Sequence, residues 1–270
     1  MTTPTPATSE VTETASAAFL SALRLADSFL PVGGYTASYG LEQYLNEGRI
    51  EDSEDLRELI EAYLRRVVGP CETVALANAH TASEVASLSD LWAVDERLSA
   101  VTMPREFRES STKAGAKLCE LLAATDVDPA SFGSERTAFD SETDDDTEST
   151  ADNLESTTET DLESALSTAI AADETPGHYP VVFGVVAQRR GISRLEACLA
   201  HAHAFVTGLL GAAQRLGRFG HTEIQSVLES LQPVIVEVCE RYVDEPPTAM
   251  VSFAPLAEIM GMRHERAGRR

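Results

Sequence analysis

The side chains of this 270-residue chain whose types and spacing suit chemistry are Cys198, His201 and His203. A soft thiolate beside imidazoles is a donor set for Ni²⁺, Zn²⁺ or copper. On a helix Cys198 and His201 share a face and His203 points elsewhere, so at most two of the three can serve one ion from this segment. These residues also lie among alanines, and a helix–helix contact accounts for them as well. His80, His178, His221 and His264 are isolated in sequence and read as structural or surface histidines. Cys71, Cys119, Cys198 and Cys239 form no CxxC pair and read as small buried thiols of a reducing compartment.

Other catalytic signatures are absent. The chain has no GxxxxGK[ST], so it is not expected to hydrolyse a nucleotide by itself, and no GxSxG, HExxH or GxGxxG after a strand. Helical di-metal enzymes use repeated E-x-x-H pairs, and none occurs here. The expectation is a protein that is not an enzyme.

The elements that must position these side chains read as helices. Phe19, Leu20, Leu23 and Ala26 repeat at three and four residues, and this helix should stop before Leu30-Pro31. Pro31, Gly33 and Gly34 set a bend before Tyr35, and a second helix is expected from about Thr36 to Asn46, ending at Gly48. Asp52 or Ser53 can cap a third, with Leu56, Leu59, Ile60, Tyr63, Leu64 and Val67 on one stripe. Further helices are expected at about 71–82, 90–100 and 105–124, the last with Pro104 at its first position, and at 179–188. Ser193 with Glu196 reads as a capping box opening a long helix to about Leu216. Thr222 with Gln225 reads as another, opening a helix that Pro233 should kink. A short helix around 255–262 and a basic tail follow. The small residues Ala200, Ala204, Gly208 and Gly211 or Ala212 on one face of the long helix require a close partner, either another helix of the core or another subunit.

No run alternates at period two, so the fold class is all-α, a single multi-helix domain of about eight to ten helices. Residues 1–15 are expected to be a disordered leader, with 16–125 and 176–270 forming the domain. Between them, 126–175 carries sixteen Asp and Glu against Arg136 alone, and reads as a disordered acidic insertion with a short helix near 162–171.

The net charge of −23 makes nucleic acid and anionic membranes poor partners, because both bind basic surface. Only Lys113 and Lys117 are lysines, and a chain poor in Lys and rich in Asp and Glu has the composition of a protein that stays hydrated in concentrated salt. Residues 1–10 carry no basic and apolar leader pattern, and no apolar run approaches the ~20 residues that span a bilayer. A cytoplasmic location is expected.

Several blocks together resemble the urease accessory protein UreF family. Leu25-Ala26-Asp27-Ser28-Phe29-Leu30-Pro31-Val32-Gly33-Gly34-Tyr35, followed by Ser38-Tyr39-Gly40-Leu41-Glu42, is similar to that family's L-x-D-S-x-L-P-x-G-G-[FY] and S-x-G-L-E pattern. Arg108-Glu109-Ser110-Ser111 with Gly115 resembles R-x-x-S-x-x-x-G, and Gly177-His178-Tyr179-Pro180-Val181 with Gly184 resembles G-H-x-P-V-x-x-G. Ala213-Gln214-Arg215-Leu216 with Gly220 and His221 resembles A-x-R-L-x-x-x-G-Q, with His in place of Gln, and Met262-Arg263-His264-Glu265 resembles M-R-H-E. The resemblance covers roughly 17–125 and 176–266. The acidic insertion has no place in the pattern, and Gly268-Arg269-Arg270 replaces the usual R-[LF]-F ending.

The resemblance implies an all-α, non-catalytic maturation factor that binds UreD (also called UreH), recruits the GTPase UreG and serves nickel delivery to apo-urease, with a homodimer within the complex. Carried over residue by residue, Pro31, Gly33, Gly34, Tyr35 and Glu42 are expected to face UreG. Arg215, His264 and Glu265 are expected at the subunit or UreD contact. No tightly bound cofactor is implied; nickel is expected in transit, with Cys198, His201 and His203 as transient ligands at most.

Overall fold

The computed structural model describes residues 7–32, 39–125 and 162–267, with side chains over 14–32, 39–124 and 162–263. Helices make up the fold, with no strand among the described residues, as the periodicity predicts. Helix α1 (Ala7–Ala26) begins inside the segment expected to be a disordered leader, since no proline lies between Pro6 and Pro31 to block it. It stops at Asp27, whose carbonyl and carboxylate accept from the N–H groups of Leu30 and Phe29.

Helix α2 (Leu41–Asn46) is shorter than expected at its N-terminus. Tyr39 and Gly40 have φ of 46° and 78°, a left-handed pair that no α-helix from Thr36 can pass through. Asp52 then caps α3 (Ser53–Tyr63) by accepting from the Glu54 and Asp55 N–H groups.

The expected break after Val67 does not occur. The helix continues as a π-helical segment (Leu64–Thr73) into α4 (Val74–Glu84), and this segment takes in Gly69-Pro70. Pro70 has no N–H to offer the carbonyl one turn back, so that turn must open. The chain beyond residue 250 fills the gap: the Phe253 N–H bonds Arg66 O at 3.3 Å and the Val251 N–H bonds Pro70 O at 3.0 Å. Arg65 of the same segment holds Glu237 through two bonds of 2.7 and 2.9 Å.

Next come α5 (Leu88–Val101), capped by Ser87, and α6 (Arg105–Thr125). Residues 126–161 lie outside the described chain, and α7 (Leu162–Ala171) rejoins the core with Leu162, Leu166 and Ala169 buried. Helix α8 (Tyr179–Arg189) is apolar all round and buried from Pro180 to Ala187, the pattern of a central helix. It packs on α4 so closely that a Cβ on Gly184 would lie 2.5 Å from Leu76 O. Helix α9 (Arg194–Arg215) opens with the expected Ser193–Glu196 capping box.

The expected Thr222–Gln225 box is not formed. Helix α10 (His221–Tyr242) starts two residues earlier than that box allows, because the Glu223 carboxylate reaches back to the Gly220 N–H at 2.8 Å, and it runs through Pro233. A 3₁₀ turn (Pro247–Ala249) leads to α11 (Pro255–Ala267), longer than its apolar stripe predicts.

Helix α8 is surrounded by α4, α5, α6, α7 and α9. Helix α10 covers α9, α3 and the π segment; α1 lies on α9; α11 bridges α2 and α6. Helix α9 alone among the described helices is long and apolar enough to cross a membrane by composition, and here its apolar side chains face α1, α8 and α10.

Candidate functional site

The π segment carries Glu72 to the centre of the molecule. Its carboxylate Oε2 lies 3.7 Å from His201 Nε2 on α9, with the two side chains 16% and 5% exposed. That gap is too long for a hydrogen bond. Desolvation dominates both groups: burial pushes the Glu72 carboxyl up to about 7 and the His201 imidazole down to about 4. The Nδ1 atom of His201 is buried without a hydrogen-bond partner.

Both side chains line a cavity of about 100 Å³ between α1, α6, α8 and α9. Its polar lining comes from Asp27, Ser28, Tyr39, Ser110, Ser111, Tyr179 and Thr207, and its apolar lining includes Leu25, Leu30, Val32 and Phe205. A smaller cavity of about 30 Å³ on the α11 side shares Tyr39, Glu72, Ser111 and Pro180 with the first, so Glu72 and Tyr39 stand in the partition between them. Tyr39 is held by edge and tilted contacts with the Tyr63, Phe107 and Phe205 rings, and its carbonyl accepts from the Tyr63 hydroxyl at 2.7 Å. Burial, and then the nearby Glu72, raise its phenol well above the ordinary tyrosine value.

The chain delivers three of its sequence blocks to this place. Residues Leu25 to Val32 form one wall. Ser111 of α6 accepts from the Tyr179 N–H at 3.2 Å, and a Cβ on Gly115 would sit 2.0 Å from Gly177 O, so the R-x-x-S-x-x-x-G and G-H-x-P blocks are in direct contact. Asp95 of α5, buried, fixes the second of them by accepting from the Thr175 hydroxyl, the Gly177 N–H and the His178 N–H at 2.6, 2.6 and 3.0 Å. Burial, reinforced by Arg108, lowers the His178 pKa, and Asp95 opposes this.

The sequence-derived metal candidates are placed separately. Cys198 Sγ lies 4.0 Å from Thr73 O and His201 faces Glu72, so the two do share the side of α9 turned to the π segment, but their partners differ. His203 is half-buried and lines neither cavity. No three His, Cys, Asp or Glu side chains among the described residues converge on one point. All four cysteines are buried and free, with thiols pushed up by burial. On the small face of α9, Ala204 and Gly208 form part of the cavity wall.

Of the partner-facing candidates, Pro31 and Arg215 are exposed, as is Glu42 in the first turn of α2. Gly33, Gly34 and Tyr35 lie outside the described residues, as do the side chains of His264 and Glu265. Sequence reasoning missed Glu72, which a helix expected only from about residue 71 gives no reason to single out, and Asp95, whose partners lie some eighty positions away in sequence. It also left unremarked a set of exposed apolar side chains near the C-terminus: Val251, Phe253, Leu256, Ile259 and Met262, Phe253 being 67% exposed.

The family model described as UreF matches residues 50–232. The protein named urease accessory protein UreF from Trichodesmium erythraeum is 28% identical over 247 residues, which cover 92% of this chain and 93% of that protein. Urease accessory protein UreF 1 of Brucella melitensis is 27% identical over 242 residues, covering 90% of this chain and 87% of its own. An Arthrobacter protein named urease accessory protein UreF is 27% identical over 243 residues, covering 90% and 91%.

Proposed function

The chain belongs to the UreF family of urease accessory proteins, and from that membership we propose that it is a non-catalytic scaffold of urease maturation. In this reading it binds UreD/UreH, recruits the GTPase UreG and takes part, as a homodimer within the complex, in delivering nickel to apo-urease.

The observation that carries the reading is the apolar surface of Val251, Phe253, Leu256, Ile259 and Met262. Side chains of this size on one stretch of exposed chain favour burial against another protein. They adjoin the Met262-Arg263-His264-Glu265 block, which supports assigning this surface, with Arg215, His264 and Glu265, to the UreD or subunit contact. Pro31, and Glu42 in the first turn of α2, are exposed and support a UreG-facing role for the 31–42 segment. The chain carries no phosphate-binding loop, so the nucleotide chemistry falls to UreG.

The test is co-purification of the tagged chain with UreD and UreG of the same host across a salt series, with the mass of the eluted complex measured. A ternary complex that survives molar salt is expected, since apolar contacts do not weaken with screening. Failure of the tagged chain to retain UreD at any salt concentration overturns the scaffold reading.

A further inference from the structure

We propose that the larger cavity is a receptor for one arginine side chain of a protein docked beside Pro31, with the guanidinium held at Glu72. That the docked protein is UreG rests on the reading above; the class of side chain is argued from the lining alone. Asp27 and Glu72 line the cavity and no Lys or Arg does, so it favours a cation over an anion. The rings of Tyr39, Tyr179 and Phe205 line it as well, and such rings attract a flat cation. The lining grades from exposed Asp27 and Ser28, just beyond α1, to buried Phe205 and His201 on α9, so the recess opens next to Pro31. Asp27 is fixed at that mouth because its carboxylate accepts from the Phe29 N–H at 2.9 Å.

The inner walls offer acceptors. The Glu72 carboxylate stands 3.7 Å from His201 Nε2, beyond a hydrogen bond, and His201 Nδ1 is buried without a partner. Burial keeps this imidazole neutral, so one of its nitrogens is an acceptor. The Thr207 hydroxyl shares its proton between the His203 and Ala204 carbonyls, each at 3.1 Å, which leaves it only lone pairs to give. A guanidinium brings five N–H donors in one plane, has no acceptor, and is more weakly hydrated than an ammonium, so it suits this recess better than a lysine does. The size agrees: a water needs roughly 10–15 Å³, so a cavity of about 100 Å³ takes roughly seven to ten atoms of that size, and an arginine side chain has about seven beyond its Cα.

The experiment is titration of the full chain, followed by nuclear magnetic resonance, with N-acetylarginine methylamide and with its citrulline counterpart, which has the same shape and no charge. One saturable site per chain is expected for the arginine compound, about tenfold tighter than for the citrulline compound. Glu72→Gln, which removes the charge, and Ala204→Leu, which fills the recess and removes no acceptor, should each weaken it about tenfold and should weaken UreG retention by a similar factor while UreD is retained. Melting curves establish that each variant is folded; the two act by different means, so one folded variant suffices, and Ala204→Val stands in if neither folds. No saturable binding, equal binding of the citrulline compound, binding unchanged in the folded variants, or full UreG retention by a folded variant that has lost the site overturns the proposal. A wild-type chain that retains UreD and UreG but binds no arginine compound leaves the scaffold reading standing and ends this one. A chain that binds the arginine compound selectively and retains neither partner does the reverse.

Discussion

The Asp95 carboxylate accepts the Gly177 N–H at 2.6 Å, tying α5 to the turn that enters the central helix. The same carboxylate also satisfies the His178 N–H and the Thr175 hydroxyl, so Asp95→Ala orphans three donors in one step. Each buried donor left unpaired costs about 1–3 kcal/mol. A loss on the order of 3 kcal/mol or more is expected, seen as a fall in melting temperature of roughly 6–12 °C for a chain of this size. Asp95→Asn keeps one acceptor oxygen and should lose less; equal losses would mean that the hydrogen bonds are not what the carboxylate contributes.

Gly115 touches the same turn from the other side. A methyl there would lie 2.0 Å from Gly177 O, and backbone cannot swing aside as a flexible side chain can. Gly115→Ala is therefore expected to destabilise by about 3 kcal/mol, at the upper end of ordinary overpacking. Denaturant unfolding gives the value, and a change below about 0.5 kcal/mol would show that the helix and the turn can separate freely.

Glu72 and His201 pull the pH dependence of stability in opposite directions. The folded Glu72 carboxyl titrates near 7 against an ordinary 4.5, so between those values the native state holds more protons and stability falls as pH rises. The folded His201 imidazole titrates near 4 against 6.5, so between those values the unfolded state holds more protons and stability rises with pH. Each contribution is on the order of 3 kcal/mol, and they oppose from about 4.5 to 6.5. Relative to wild type, Glu72→Gln should gain stability as pH climbs through this window and His201→Gln should lose it. Parallel profiles for all three proteins would contradict the desolvation argument for both groups.

Most of the fold can be read from local sequence, and most of the site cannot. The apolar period marks α3 and α9, and Ser193 with Glu196 places the start of α9, because caps and stripes are properties of neighbouring residues. The π segment is hidden because Gly69-Pro70 normally ends a helix, and what keeps this one going is a pair of hydrogen bonds from Val251 and Phe253, far away in sequence. Glu72 is hidden with it: each π turn takes in about one more residue than an α turn, so the face that Glu72 occupies is not the one a 3.6 period assigns. His201 is visible as a residue type, but its partner is not. Asp95 looks like a solvated helix carboxylate until the 175–178 turn is folded against it.

Glu42 offers a test of the proposed recruitment apart from folding. It is exposed in the first turn of α2, a helix anchored by the packing of Met260 on Gly40 and by the 2.6 Å pair between Arg263 and Glu47. Gln43, Arg49 and Arg263 hold the Glu47 carboxyl down to about 2, which ties α2 to α11 through Glu47. Glu42→Ala is a substitution at an exposed position and should change stability by no more than the about 0.5 kcal/mol usual for surface sites. If the segment from Pro31 to Glu42 meets UreG, the same substitution should weaken UreG retention about tenfold while UreD is retained as before, because it removes a charged group from one interface and leaves the other untouched. Wild-type retention of both partners would remove Glu42 from the interface, and failure to retain either would place α2 at the UreD surface instead.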